Sequence, residues 1–181
     1  MKRGCIAALC MALMLVLTAT ALAEVLSVGK AYTVKVLEPV ASYEEIATRD
    51  YPDTDNAKLT DGKKAQEVDF KDPAFVGYLR QGGRDIVVDL GSEANISEVS
   101  IRLFADPDVG IYQPKSTSVS FSDDSKLWSA PISKNVPESL FAEVMTVTFK
   151  TDSIGRYVKV HFPVEVWVFT DEITVSGSWV D

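Results

Sequence analysis

The residues best suited to chemistry lie near the end of the chain. Asp171 and Glu172 open the alternating segment Ile173-Thr174-Val175-Ser176-Gly177, directly after an apolar, aromatic loop that runs from Phe162 through Trp167. Paired carboxylates at the start of a closing strand suit a cation that needs oxygen ligands. A further carboxylate stands in Thr60-Asp61-Gly62, where the glycine gives a tight turn its backbone freedom. Calcium draws on carboxylates together with the backbone carbonyls that such turns expose, so Asp61 is the first candidate ligand. The plainer alternative stays open on these residues alone: Asp61 caps a turn and Glu172 is solvated. Catalytic equipment is sparse. His161, the single histidine, sits on an alternating segment with Tyr157 and Lys159, and no nucleophile-elbow motif accompanies it. Carboxylates are numerous enough for a two-carboxylate glycosidase, but the fold derived below speaks against one.

The elements that must position these groups begin after a leader. Lys2-Arg3, the apolar run from Cys5 to Thr18 and the small-residue signature Ala21-Leu22-Ala23 read as a secretory signal peptide over residues 1–23. Residues 24–181 then form one secreted, extracellular domain, and no later apolar stretch is long enough to cross a bilayer. Both cysteines, Cys5 and Cys10, fall in the leader, so the exported domain must hold together without a disulfide. Of the 18 Lys and Arg residues, two lie in the leader; the remaining 16 face 26 Asp and Glu, a net charge of −10. That acidity opposes nucleic acid and anionic lipid as partners and suits cations or neutral ligands.

Period two dominates the domain. Tyr32, Val34 and Val36 alternate with polar residues, as do Ile86, Val88 and Leu90, then Val99, Ile101 and Leu103. Val119 and Phe121, Met145 to Phe149, Val158 to Phe162, and Ile173 with Val175 repeat the pattern. These are half-buried antiparallel strands, and about eight of them with turns between make an all-β jelly-roll sandwich. Helix is expected only over Ser42 to Thr48, with Ser42 as N-cap and Glu45 at the capping-box position. The irregular stretch from Glu38 to Asp69 is too long for an ordinary connection and marks a binding loop. Trp128, after the Ser122 to Ser125 turn, is expected to anchor the core.

Five segments in order carry a resemblance: Leu59-Thr60-Asp61-Gly62, Asp72-Pro73-Ala74-Phe75-Val76-Gly77-Tyr78, Asp85-Ile86-Val87-Val88-Asp89-Leu90-Gly91, Ser122-Asp123-Asp124-Ser125-Lys126-Leu127-Trp128 and Glu172-Ile173-Thr174-Val175-Ser176-Gly177. Over about Ser27 to Gly177 the chain resembles the discoidin, or coagulation factor 5/8 type C, domain, a galactose-binding-like β-sandwich shared by many bacterial carbohydrate-binding modules. Gly110-Ile111-Tyr112-Gln113-Pro114 and Phe162 to Phe169 are closer to a variant found at the N-terminus of larger secreted proteins of Gram-positive bacteria. The resemblance implies a structural calcium joining the Asp61 turn to Glu172, with the backbone carbonyl of Lys58 as a further ligand. Lys63 and Lys64 depart from the family pattern, in which a threonine and an aromatic complete the cage, and this implies weaker binding or loss of the ion.

The resemblance also implies a non-catalytic module that binds poly- or oligosaccharide through loops at one rim. A sugar offers an apolar C–H face to an aromatic ring and hydroxyls to charged or amide groups. Trp167 shares its parity with Glu165 and Phe169, while Val164, Val166 and Val168 occupy the other, so it is the first candidate platform. Tyr112, near Asp106, and Tyr78 with Arg80 are the next candidates. Core packing competes with ligand contact at each position. A larger secreted protein is a further expected partner, and the competing class is a protein-interaction or adhesion module without sugar binding.

Overall fold

The two alternating runs Ile86 to Leu90 and Val99 to Leu103 belong to a single strand. In the computed structural model, which describes residues 23–180, strand β4 spans Arg84–Ala105 and β7 spans Glu143–Phe162. The predicted leader lies outside the described residues except for Ala23. The other strands are β1 (Glu24–Val25), β2 (Tyr32–Val36), β3 (Val76–Leu79), β5 (Ser116–Ser122), β6 (Ile132–Asn135) and β8 (Trp167–Trp179). All pairings between them are antiparallel, which bears out the all-β expectation of eight strands.

The register shows how one continuous ladder makes two layers. The first part of β4 pairs Ile86 with Val34 of β2 and with Val160 of β7, while Val119 of β5 pairs with the same Val160. Beyond a register shift between Asp89 and Ala94, β4 pairs instead with the first part of β7 and with β8, as at Ile101 with Val147 and Ile173. β1 and β3 extend the second layer along β8, with Glu24 opposite Gly177 and Leu79 opposite Trp167. Long strands that bend from one layer into the other form the corners of the sandwich. At the bend, Arg156 donates from Nε and Nη2 to the two carboxylate oxygens of Asp89 at 2.7 and 2.8 Å. This contact first, opposed by burial, holds the Asp89 carboxyl below its ordinary range.

Between the layers lies the main core. Ile86, Val88, Leu90, Val158, Val160 and Phe162 face Val99, Ile101, Leu103, Phe149, Ile173 and Val175, each at 1% exposure or less. Each such burial contributes about 1.5–3 kcal/mol relative to an exposed side chain, so the period-two pattern is sufficient cause for the sandwich. Trp128 is not part of this core, contrary to expectation. It lies half-buried outside, with the Lys159 ammonium 4.4 Å from its ring centroid, because Lys159 projects from the opposite face to Val158 and Val160.

A second, smaller cluster sits on the outer side of the second layer. Phe104 and Phe169 are cross-strand partners, and with Phe75 and Ile111 they form a buried group covered by Tyr51, Ala65, Phe70 and Trp167. The long region after β2 provides much of this cover. It folds into helix α1 (Ala41–Asp50) and two short 3₁₀ turns, Thr54–Asn56 and Lys58–Thr60. The Tyr32 hydroxyl donates to Asp53, and Asp53 Oδ1 accepts from the amides of Ala57 and Lys58, which pins the turns to β2. The expected N-cap is not Ser42: α1 starts after Val40 without a local cap, and Val40 N–H donates to Oε1 of the distant Gln81 at 2.6 Å.

Candidate functional site

The loops at the start of β8 converge on a groove of about 440 Å³. Tyr112, Lys115, Glu138, Pro163, Glu165 and Trp167 are among its lining residues. The backbone fixes this convergence. Asp106 and Ile111 exchange hydrogen bonds across a turn that Gly110 closes at φ +80°, and Tyr112 N–H donates to the Trp167 carbonyl at 3.0 Å. The 136–142 loop is attached from the other side, where Gln113 Nε2 donates to Ser139 Oγ at 2.8 Å and Val136 N–H donates to the Lys115 carbonyl at 3.0 Å. Lys115 and Glu165 form an ion pair at 2.7 Å, leaving Glu138 as an additional carboxylate on the wall. Tyr112 is 39% exposed, and Trp167 is half-buried. Aromatic surface, an amide, an ammonium and carboxylates thus face one open space, a set able to stack on an apolar ring face and hydrogen-bond to hydroxyls.

The sequence candidates are distributed unevenly about this groove. Trp167 and Tyr112 are brought together, and Asp106 anchors the turn that carries Tyr112. Arg80 stands beside the groove: its amide donates to the Val166 carbonyl at 2.9 Å, and its guanidinium lies 5.9 Å from the Tyr43 ring centroid. Tyr78 requires correction. At 7% exposure it belongs to the main core, because both of its flanks on β3 are also covered, and its ring packs 5.8 Å from Phe162. Trp167 is also less free than its parity suggested, since Phe169 and Tyr51 pack against it at 5.7 and 5.4 Å. Sequence reasoning missed Gln113, Lys115, Glu138 and Pro163, which come from three separate connections and carry no common motif.

Arg84 supports the groove from within. Only 1% exposed, it donates to the carbonyls of Leu79 at 3.3 Å, Arg80 at 3.0 Å and Gly83 at 2.9 Å. Four successive residues there, Arg80 to Gly83, have positive φ. Such a backbone run turns its carbonyls inward, and the planar guanidinium fork collects three of them.

The acidic candidates form a second place on the surface. β8 carries one extra residue at a register shift opposite Arg102 and Leu103, and Asp171 occupies it. Asp171 accepts from Ala65 N–H at 2.8 Å and lies 3.2 Å from Arg102 Nε, without the alignment of a hydrogen bond. Glu172 is 2% exposed, and its Oε2 has no hydrogen-bond partner. Burial first, then the nearby Asp61 charge, pushes its carboxyl up to about 7. Asp61 ends the Lys58–Thr60 turn and accepts from Lys63 N–H at 2.8 Å, with the Lys63 ammonium at 3.7 Å. Lys58, Asp61, Gly62, Lys63 and Lys64 line a depression open to solvent. An orphaned buried carboxylate oxygen beside another carboxylate fits a small cation, while the lysines compete with it. Among the described residues no group of three or more His, Cys, Asp or Glu is placed to hold a metal, so backbone oxygens would have to complete the shell.

This architecture recurs in solved structures. The lectin domain of lectinolysin, complexed with Lewis B antigen, matches with a TM-score of 0.57 at 19% identity, covering 84% of this chain and 95% of that one. Chitosan-binding module 1 of a chitosanase/glucanase from Paenibacillus sp. IK-5 matches at 0.53 and 18%, covering 85% and 99%. A fucose-binding module of Streptococcus pneumoniae matches at 0.53 and 16%, covering 84% and 94%. No protein-family model matches the chain, and no curated protein matches it. At these identities the likeness establishes fold: an all-β jelly-roll sandwich. The five ordered segments that resemble the discoidin type fall along this same sandwich.

Proposed function

We propose that the chain is a secreted, non-catalytic carbohydrate-binding module that holds a glycan in the groove between Tyr112 and Trp167. The observation that carries this reading is the exposed Tyr112 ring beside Trp167 in a groove with charged and amide walls. Stacking on Tyr112 and the free edge of Trp167 would supply most of the affinity, and Lys115, Gln113 and Glu138 the selectivity. The solved structures of the same fold, whose names record Lewis B antigen, chitosan and fucose binding, support the ligand class. A calcium ion held by Asp61, Glu172 and the Lys58 carbonyl would brace the adjoining loop without touching the sugar; the unpartnered Glu172 oxygen supports this part. A glycan array with and without a chelator tests the reading, with Tyr112→Ala and Trp167→Ala each expected to abolish or greatly weaken binding. Full binding by both variants would overturn the site.

One observation favours a second reading, adhesion to a protein such as a larger secreted partner. Leu140 and Phe141, 84% and 66% exposed, project from the loop that borders the groove. A blank array combined with a pull-down lost in Leu140→Ser/Phe141→Ser would favour that reading.

A further inference from the structure

On the other side of Trp167 lies a separate recess of about 170 Å³, and its chemistry differs from that of the groove. Tyr51, Phe70, Trp167 and Phe169 provide its rings, Val109 an apolar edge and Asp50 its one ionisable group apart from the Tyr51 phenol. Tyr51 meets Trp167 at 82°, Phe70 at 73° and Phe169 at 68°, with centroid distances of 5.4, 6.2 and 4.6 Å. The rings therefore present walls in different planes around one space. Phe169 is fully buried at the base, whereas Tyr51, Phe70 and Trp167 are half-buried and Asp50 is exposed at the rim.

Size and polarity restrict the occupant. The recess is smaller than the roughly 300–1,000 Å³ of pockets for drug-sized ligands, so it takes a group of a few heavy atoms. It has too few hydrogen-bonding side chains to satisfy the several hydroxyls of a sugar. Aromatic faces carry negative potential and attract cations, most strongly when the cation is weakly hydrated and offers methyl surface to the rings. The acidic carboxylate at the mouth and the negative net charge of the chain, −8, add long-range attraction. The molecule already satisfies cations on these elements: Lys71 Nζ lies 5.4 Å from the Phe70 ring centroid, and Arg49 pairs with Asp50 at 2.6 Å. Both partners are surface side chains that an incoming ligand can displace.

We propose that this recess binds a methylated ammonium group, with the faces of Tyr51, Phe70 and Trp167 around the cation and Asp50 at its entrance. The site is independent of the glycan groove except for the shared indole. Choline is the probe, and 3,3-dimethylbutan-1-ol its neutral isostere of matching shape. In a titration of the intact domain followed by the NMR signals of the Trp167 indole and the Tyr51 ring, choline gives a saturable shift and the isostere binds at least about tenfold more weakly, the equivalent of 1.4 kcal/mol. Phe70→Leu keeps apolar volume and removes a π face, so it weakens choline at least about fivefold and leaves the isostere unchanged. Asp50→Asn weakens choline and flattens its salt dependence. Equal binding of choline and isostere, no saturable shift at tens of millimolar, or undiminished choline binding by Phe70→Leu would overturn the proposal. Because Phe70 and Asp50 do not line the groove, glycan binding by these variants stays intact whichever way the choline result falls.

Discussion

Replacing Arg84 by methionine tests whether one buried guanidinium organises the rim. The side chain is 1% exposed and donates to three carbonyls, and its guanidinium lies 5.2 Å from the Tyr78 ring centroid. Methionine has similar length and fits the apolar part of the space; the Leu79 carbonyl keeps Gln81 Nε2 as donor at 3.2 Å and the Gly83 carbonyl keeps Leu37 N–H at 3.3 Å, so the Arg80 carbonyl is the one that loses its donor. An unsatisfied buried polar group costs about 1–3 kcal/mol, and the two other carbonyls each lose one of two bonds. Loss of the cation–π contact adds about 1 kcal/mol, and recovery of the desolvation of a buried charge offsets part of the sum. A net loss of about 2 kcal/mol lowers Tm by roughly 4–8 °C for a domain of this size. Arg84→Lys is expected to be no better, since an ammonium keeps the desolvation cost and cannot span three carbonyls. Thermal unfolding by circular dichroism gives the stability, and amide exchange at Val40 and Arg80 reports the loop, because Gln81 and Arg80 tie it to α1 and to Val166. An Arg84→Met protein that melts within about 2 °C of the parent, with unchanged exchange at those amides, would refute the reasoning.

The remaining predictions concern other parts of the fold. A Cβ at Gly77 would stand 2.8 Å from the Tyr51 Cβ and 3.0 Å from the Phe169 ring, so Gly77→Ala is expected to destabilise by about 1–3 kcal/mol and to perturb near-ultraviolet dichroism from the aromatic cluster. Asp89 has a folded-state pKa below its unfolded value, so its stabilising effect is present above the ordinary aspartate pKa of about 3.9 and is lost as pH falls through the lowered one. Asp89→Asn should therefore lower Tm near neutral pH by the equivalent of about 1 kcal/mol, and the difference from the parent should vanish under strong acid. Calcium in hundredfold excess over its dissociation constant should stabilise the parent by about 2.7 kcal/mol and leave Glu172→Gln nearly unmoved; equal melting of the parent with calcium and with chelator would count against the Asp61 and Glu172 site.

Strands were legible because each buries one face, and alternation is the direct record of that burial. What alternation does not record is continuity: Ile86 to Leu90 and Val99 to Leu103 read as two strands, since a bend clamped by Asp89 and Arg156 leaves the same period on either side. The start of α1 was misread for a related reason. Ser42 and Glu45 form a plausible local cap, but the bond is supplied by Gln81, 41 residues beyond Val40. Tyr78 looked like a loop aromatic because Arg80 and two glycines follow it, yet β3, which pairs with β8 alone, has all four residues buried. Parity placed Trp167 on the face away from the main core, but it could not reveal the second aromatic cluster that half-covers the ring. The groove's other lining residues were illegible because Lys115, Glu138 and Pro163 meet only after three connections have been folded to one pole.

The pairing of Glu24 with Gly177 has a practical consequence. Trp167 opens β8 and Gly177 lies ten residues along it, so at ~3.3 Å per residue the two are separated by roughly 30 Å. Anything joined before Glu24 or beyond Trp179 therefore emerges at the pole remote from the groove. A tether at either end would hold the domain with Tyr112 and Trp167 directed outward, an orientation suited to presenting the groove on a surface and to attaching the protein to a biosensor through either terminus without masking it.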